Sequence, residues 1–134
     1  MATIHGAAKS GDLSAVQSAL RRGADVNEPD RHGRPPVVIA AWHGHAQLVE
    51  HLLESGADVN AACHGGTGAL SGESGTTALM MAAWTGRDDV VGVLLRFGAD
   101  VRAQSVDGMT AFDLARSNGW AAVVSILQQF DVTT

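Results

Sequence analysis

The sequence predicts an all-α solenoid of stacked helix–turn–helix pairs joined by projecting loops, and three observations carry that prediction. The phrase GADVN occurs at 23–27 and at 56–60, 33 residues apart, and returns as GADVR at 98–102, 42 residues further on. An Ala-Ala pair followed three residues later by Gly keeps the same phase: Ala7-Ala8 with Gly11, Ala40-Ala41 with Gly44, and Ala82-Ala83 with Gly86. After these glycines, apolar residues recur at helical spacing, as Leu48, Val49, Leu52 and Leu53, then Val90, Val91, Leu94 and Leu95. A period in this range marks repeats that each form one supersecondary unit and bury a shared core only by stacking.

The units follow in order as about 1–29, 30–61, 62–103 and 104–130, with a short tail at 131–134, all in one domain. Within each unit the apolar stretch before the turn glycine is about two helical turns long. The glycine suits the left-handed end of that helix, and the second helix follows. The Ala pairs let neighbouring backbones approach closely. The first unit has a thinner apolar face, with Ser18 and Ala19 where larger residues would pack. In the last, Ala115-Arg116 with Gly119 is a weaker copy of the turn, and Gln128 replaces the Leu53 and Leu95 of its predecessors. Polar substitution there fits an outer face that meets water, so a complete stack of four units with finished ends is the expectation. Asp25, Asp58 and Asp100 occupy the repeated GAD turn, where a short carboxylate caps backbone amides.

Residues 30–60, DRHGRPPVVIAAWHGHAQLVEHLLESGADVN, resemble the ankyrin repeat family nearly throughout, and the likeness extends over essentially the whole chain. The family pattern runs roughly D-x-x-G-x-T-P-L-H-x-A-A-x-x-G-H, then V-V-x-x-L-L-x-x-G-A-D-V-N. By that resemblance the loops between units are β-turn fingers, and His45 is the Gly-His turn residue. The Thr-Pro-Leu-His segment departs from the pattern, standing as Pro35-Pro36-Val37-Val38, Thr77-Ala78-Leu79-Met80 and Thr110-Ala111-Phe112-Asp113. Only the first unit keeps the His, as His5, with Ala2 at the Thr position. Loops tied by fewer Thr–His hydrogen bonds should lean more on packing.

Composition limits the function. At 134 residues, with 46% hydrophobic and 17% charged residues, the chain is one folded domain. Net charge is −5, which argues against generic nucleic-acid or anionic-membrane binding. Residues 1–45 carry five Lys/Arg against four Asp/Glu, whereas 46–134 carry four against ten. One cysteine, Cys63, forms no internal disulfide, and the start has no signal-peptide pattern. A cytoplasmic protein is expected, with the nucleus left open.

The chemistry of known catalytic motifs does not fit. The glycine-rich stretch 63–75 lacks the lysine a phosphate loop needs, since Lys9 is the single lysine of the chain. GTGALSG places Ser71 where a dinucleotide loop needs its third glycine, and GESGT places Thr76 where a nucleophile elbow needs its last. His43 with His45, and Cys63 with His64, lack metal-ligand spacing. No catalytic residue, cofactor or metal is expected, and the chain is read as not an enzyme.

The resemblance implies a protein partner bound on a concave face made by the finger tips and first helices. Positions just after each Ala pair lie there, which puts Trp42-His43 and Trp84-Thr85 on it in adjacent units. Trp is the residue most enriched at binding hot spots. The finger Arg31-His32-Gly33-Arg34 adds positive charge suited to a carboxylate or phosphate. Thr76 and Met109 are expected on the same side, and Trp120 as a packing residue of the last unit. A monomer is expected. Two other readings stay open: a small anionic or nucleotide-like ligand stacked on Trp and held by Arg31 or Arg34, and self-association through the Trp-bearing face.

The third unit is longer than the others. Asn27 to Gly33 and Arg102 to Gly108 each span six residues, whereas Asn60 to Gly75 spans fifteen, a nine-residue insertion within 62–74. Such a lengthening costs only about 0.8 kcal/mol of closure entropy. The insertion is read either as a tolerated surface loop or as an extended finger, Cys63–Ser74, with Leu70 as its apolar anchor.

Overall fold

The computed structural model describes residues 3–63 and 75–132, with backbone alone for 131–132. Among them are eight helices in four consecutive pairs: α1 Ile4–Ser10 and α2 Leu13–Arg21, α3 Pro36–Trp42 and α4 Ala46–Glu54, α5 Ala78–Thr85 and α6 Asp88–Arg96, α7 Ala111–Ser117 and α8 Ala121–Val132. The first helices form one layer, α1 on α3, α3 on α5 and α5 on α7; in the second layer α4 meets α6 and α6 meets α8.

Small residues make this stacking possible. Ala8, Ala40, Ala41, Ala82, Ala83 and Ala115 have no exposed surface, so backbone meets backbone along the first layer. Larger apolar residues fill the space between layers, with Leu52, Leu79, Met80, Met81, Leu94 and Leu127 among the most deeply buried. Truncating such a leucine costs about 3 kcal/mol. α5 is apolar on every side because α3 and α7 cover it from both directions.

Each turn after a first helix is closed by a left-handed glycine, at φ 76° for Gly11, 77° for Gly44, 73° for Gly86 and 74° for Gly119. A second constraint holds three of them. The residue after the next unit's turn glycine lies over the one before, so a Cβ on Gly11 would sit 2.6 Å from the His45 ring and one on Gly86 2.6 Å from the Trp120 ring. On Gly44 it would meet the Arg87 guanidinium at 2.9 Å. The overlying rings also make hydrogen bonds: His45 Nε2 lies 2.9 Å from the Lys9 carbonyl, and Trp120 Nε1 donates to the Trp84 carbonyl at 2.7 Å. Lys9 and Trp84 are the same position in their units, so one device locks the stack at both ends.

The GAD turns form a second ladder. Asp25, Asp58 and Asp100 each accept the backbone N–H two residues on, at 2.9 Å. Asn27 Oδ1 then accepts the N–H of Asp58 at 2.8 Å, and Asn60 Oδ1 that of Asp100 at 2.8 Å. Asn at the end of each GADVN thus ties one unit to the next. At the third copy, where no fourth GAD follows, the residue is Arg102.

Helix starts differ from the expectation drawn at the Thr-Pro-Leu-His segment. Thr77 caps α5 by accepting from Met80 N at 3.3 Å, and Thr110 with Asp113 forms a reciprocal capping box on α7. Both threonines keep a capping role without the His. In the first unit Thr3, not position 2, is the cap, accepting from Gly6 N at 3.0 Å. His5 also ties its loop, with Nε2 2.6 Å from the Glu28 carbonyl.

The finger loops share one frame. Asp30 N donates to Arg34 O and Gly33 N to Asp30 O; Ser105 N donates to Met109 O and Gly108 N to Ser105 O. In the long loop Cys63 N donates to Thr76 O and Gly75 N to Cys63 O, both at 2.9 Å. Cys63 is therefore not part of the insertion: it is buried, 2% exposed, and holds the frame position of Asp30 and Ser105. The extra residues lie between Cys63 and Gly75. Leu70 falls outside the described residues.

Candidate partner-binding surface

The finger 28–34 and the helices α1 and α3 enclose a groove of about 600 Å³. Five of the residues singled out in the sequence converge on it: Arg31, His32, Arg34, Trp42 and His43. They come from the finger and from the last turn of α3, two segments that the frame and the turn glycine hold at fixed positions. Thr3, His5, Lys9, Glu28 and Ile39 complete much of the lining.

Arg34 is not a free cation. Its Nε and guanidinium reach Asp30 Oδ2 at 3.0 Å, and Asp30 Oδ1 accepts the backbone N–H groups of His32 and Arg34 at 2.9 Å. Burial alone would raise the Asp30 carboxyl; hydrogen bonds from the Arg34 backbone and side chain and the His32 backbone outweigh it and hold the group below 3.8. The Arg34 guanidinium stands 5.5 Å from the Trp42 ring centre, within cation–π range. His43 stacks next to that indole at 5.2 Å, and His45 follows His43 at 6.4 Å. Burial, then the positive groups of His45, Lys9, Arg34 and Arg87, push His43 below 6.5, so its ring is neutral at pH 7.

Trp84, Thr85, Thr76 and Met109 lie away from this groove. Trp84 is 49% exposed at the end of α5, whereas Trp42 at the same register is half-buried. Asn118 Nδ2 and Trp120 Nε1 both donate to the Trp84 carbonyl, which fixes the backbone under the exposed ring. Thr85 is half-buried, and its hydroxyl donates to Met81 O at 2.7 Å. Thr76 was expected to face a partner; instead it is only 9% exposed. Arg34, Thr76 and Met109 share one frame position, whose carbonyl closes the finger, and none of the three side chains is fully exposed.

Two residues read from the sequence as a face position (Lys9) and a packing residue (Trp120), but not as partner-binding, also contribute. Lys9 stands at the rim of the groove in the register of the two tryptophans, a position the Ala-pair phase identifies. Trp120 is both a packing residue and 42% exposed, close beside Trp84; its register with His45 and Arg87 was the available signal.

Fold and surface together define a helical-repeat protein with a loop-edged groove and an exposed aromatic shelf. The chain belongs to the ankyrin repeat family: the family model described as ankyrin repeats (3 copies) matches residues 4–105. Among curated proteins it is similar to the B-cell lymphoma 3 protein homolog of Mus musculus, 37% identical over 56% of this chain and 17% of that protein. It is also similar to protein phosphatase 1 regulatory subunit 27 of Mus musculus, 36% identical over 46% of this chain and 40% of that one. The putative ankyrin repeat protein YahD of Escherichia coli is 34% identical over 43% and 29% respectively. The chain thus matches less than half the length of each of these relatives. Ankyrin repeats generally mediate protein–protein interaction, and the family is typically non-catalytic. Among the described residues no helix is long and apolar enough to cross a membrane.

Proposed function

We propose that the chain is a non-catalytic interaction module that holds a partner protein across its concave face, with Trp42 and Trp84 as anchors. The exposure of Trp84 supports this most directly: a 49% exposed indole stands on a backbone fixed by two hydrogen bonds, with the 42% exposed Trp120 beside it. An anchor on an ordered backbone leaves less entropy to lose on binding than one on a mobile segment, and truncating such a Trp costs about 2 kcal/mol or more of affinity. Trp42, Arg34 and His43 extend the same face along the first-helix layer.

A small anionic ligand is the weaker reading, because Arg34 is committed to Asp30. Affinity capture with the wild-type chain and with Trp42→Ala/Trp84→Ala tests the proposal, with circular dichroism as the control for folding. Loss of the captured partner from a folded double variant is expected. Equal recovery by both proteins would sink the reading. Light scattering across a concentration series separates it from self-association, for which the mass must rise with concentration.

A further inference from the structure

Charge around the groove runs against the trend of the chain. The protein has 9 Lys+Arg against 14 Asp+Glu. Around the groove, Lys9, Arg31 and Arg34 face Glu28 and Asp30, and Arg87 of the next unit lies close enough to act on His43. Asp30 is engaged by Arg34. Among the described residues the ion pairs are Arg34–Asp30 and Arg96–Glu50, so Lys9 and Arg31 have no carboxylate partner there. Both are exposed. Between them the floor is apolar, formed by Ile39 and the covered ring of Trp42.

We propose that this groove accepts an extended acidic segment of a partner protein, its carboxylates against Lys9 and Arg31 and an apolar side chain on Ile39 and Trp42. The inference rests on the protein-interaction reading above and gives it a partner chemistry. Unpaired cations at the rim attract and orient an acidic chain, and the apolar floor supplies burial that a simple ion lacks. Rim charges remain in contact with solvent, so the attraction is screened by salt. Arg34, fixed by Asp30 over the indole, contributes shape and stiffness to the floor rather than an available charge.

The test is a selection of random peptides displayed on phage against the immobilised full chain, followed by fluorescence anisotropy of a labelled peptide from the enriched pool. Enriched sequences should combine Asp or Glu with a neighbouring apolar residue. Lys9→Glu and Arg31→Glu should each weaken the peptide roughly tenfold, and raised salt should weaken it likewise. Arg116→Glu, an exposed change in the last unit, should leave it unaltered. Arg31→Gln and Lys9→Gln repeat the test without introducing negative charge. The proposal is overturned by enrichment of neutral or basic peptides, by no enrichment at all, or by binding indifferent to these changes. Displacement of the peptide by a single-stranded oligonucleotide as readily as by unlabelled peptide also overturns it. None of those results touches the broader reading, which stands or falls on partner capture by the wild-type chain and the Trp42→Ala/Trp84→Ala variant.

Discussion

The two halves of the stack are built to one plan and present different surfaces. In α1–α4 the Trp after the Ala pair is covered: Arg34 stands over Trp42, His43 lies beside it, and an ion pair fastens the finger. In α5–α8 the equivalent Trp84 is half exposed, and Thr76, at the frame position of Arg34, is a short buried residue with nothing to cover an indole. The same backbone frame thus carries a lined groove where Asp30, Arg34 and His43 stand, and an exposed indole where Cys63, Thr76 and Thr85 replace them. The backbone frame sets the fold, and the side chain placed on it sets what a partner meets.

The largest expected difference lies in the turn glycines. Gly86→Ala combines a left-handed backbone with a Cβ driven into the Trp120 ring, and should lower stability by about 3 kcal/mol. Gly44→Ala meets only the movable end of Arg87, so about 1–2 kcal/mol is expected. Thermal or urea unfolding of the two variants measures the contrast. Equal losses would mean that the Trp120 lock contributes nothing.

Next comes the finger. Asp30→Ala removes three hydrogen bonds and the ion pair to Arg34, and should cost about 2 kcal/mol while freeing the guanidinium from the Trp42 face. Ser105→Ala at the same frame position of the last finger loses a single 3.3 Å contact, so about 0.5 kcal/mol or less is expected. Denaturant melts, with indole fluorescence as a second readout for the first variant, compare them.

The acid response of the first half follows from its two shifted groups. His43 is held below 6.5, so the folded state resists its protonation: there is no penalty above that pH, and stability falls as the pH drops from 6.5 to the folded value. Asp30 is held below 3.8; its contribution is intact above 3.8 and is lost as the pH falls through the folded value. His43→Gln should therefore flatten the decline in melting temperature that sets in as the pH drops below 6.5, leaving the later loss through Asp30 in place. An unchanged profile contradicts the assignment to His43.

The smallest effect belongs to the ion pair that bridges the halves. Arg96 reaches Glu50 at 3.1 Å from α6 to α4, with both side chains well exposed. Arg96→Ala should change stability by about 0.5 kcal/mol or less, because solvent screens the pair.

Much of this was legible in the sequence because it repeats. The GADVN phase located the Asp turns, the Ala-pair phase located the close helix layer, and the turn glycines have the positive φ their position required. The Asn ladder from Asn27 to Asp58 and from Asn60 to Asp100 was also written there, in the change from Asn to Arg102 at the last copy. Cys63 was misplaced because composition turns glycine-rich directly after it, whereas its place is set by two backbone hydrogen bonds to Thr76 and Gly75. Thr76 differs for another reason: the register puts it beside the finger tip, but packing leaves its side chain only 9% exposed. The covering of Trp42 depends on the i, i+4 pair Asp30–Arg34, which is visible as a spacing, and on a stack across two elements, which no linear pattern records.

Hydrogen–deuterium exchange on the chain with its captured partner tests the central claim most directly. Protection should concentrate in the finger and first-helix segments, residues 28–43 and 76–85, beyond that of the free protein. Protection confined to the second helices α2, α4, α6 and α8 would place the partner on the opposite side of the stack and contradict the account.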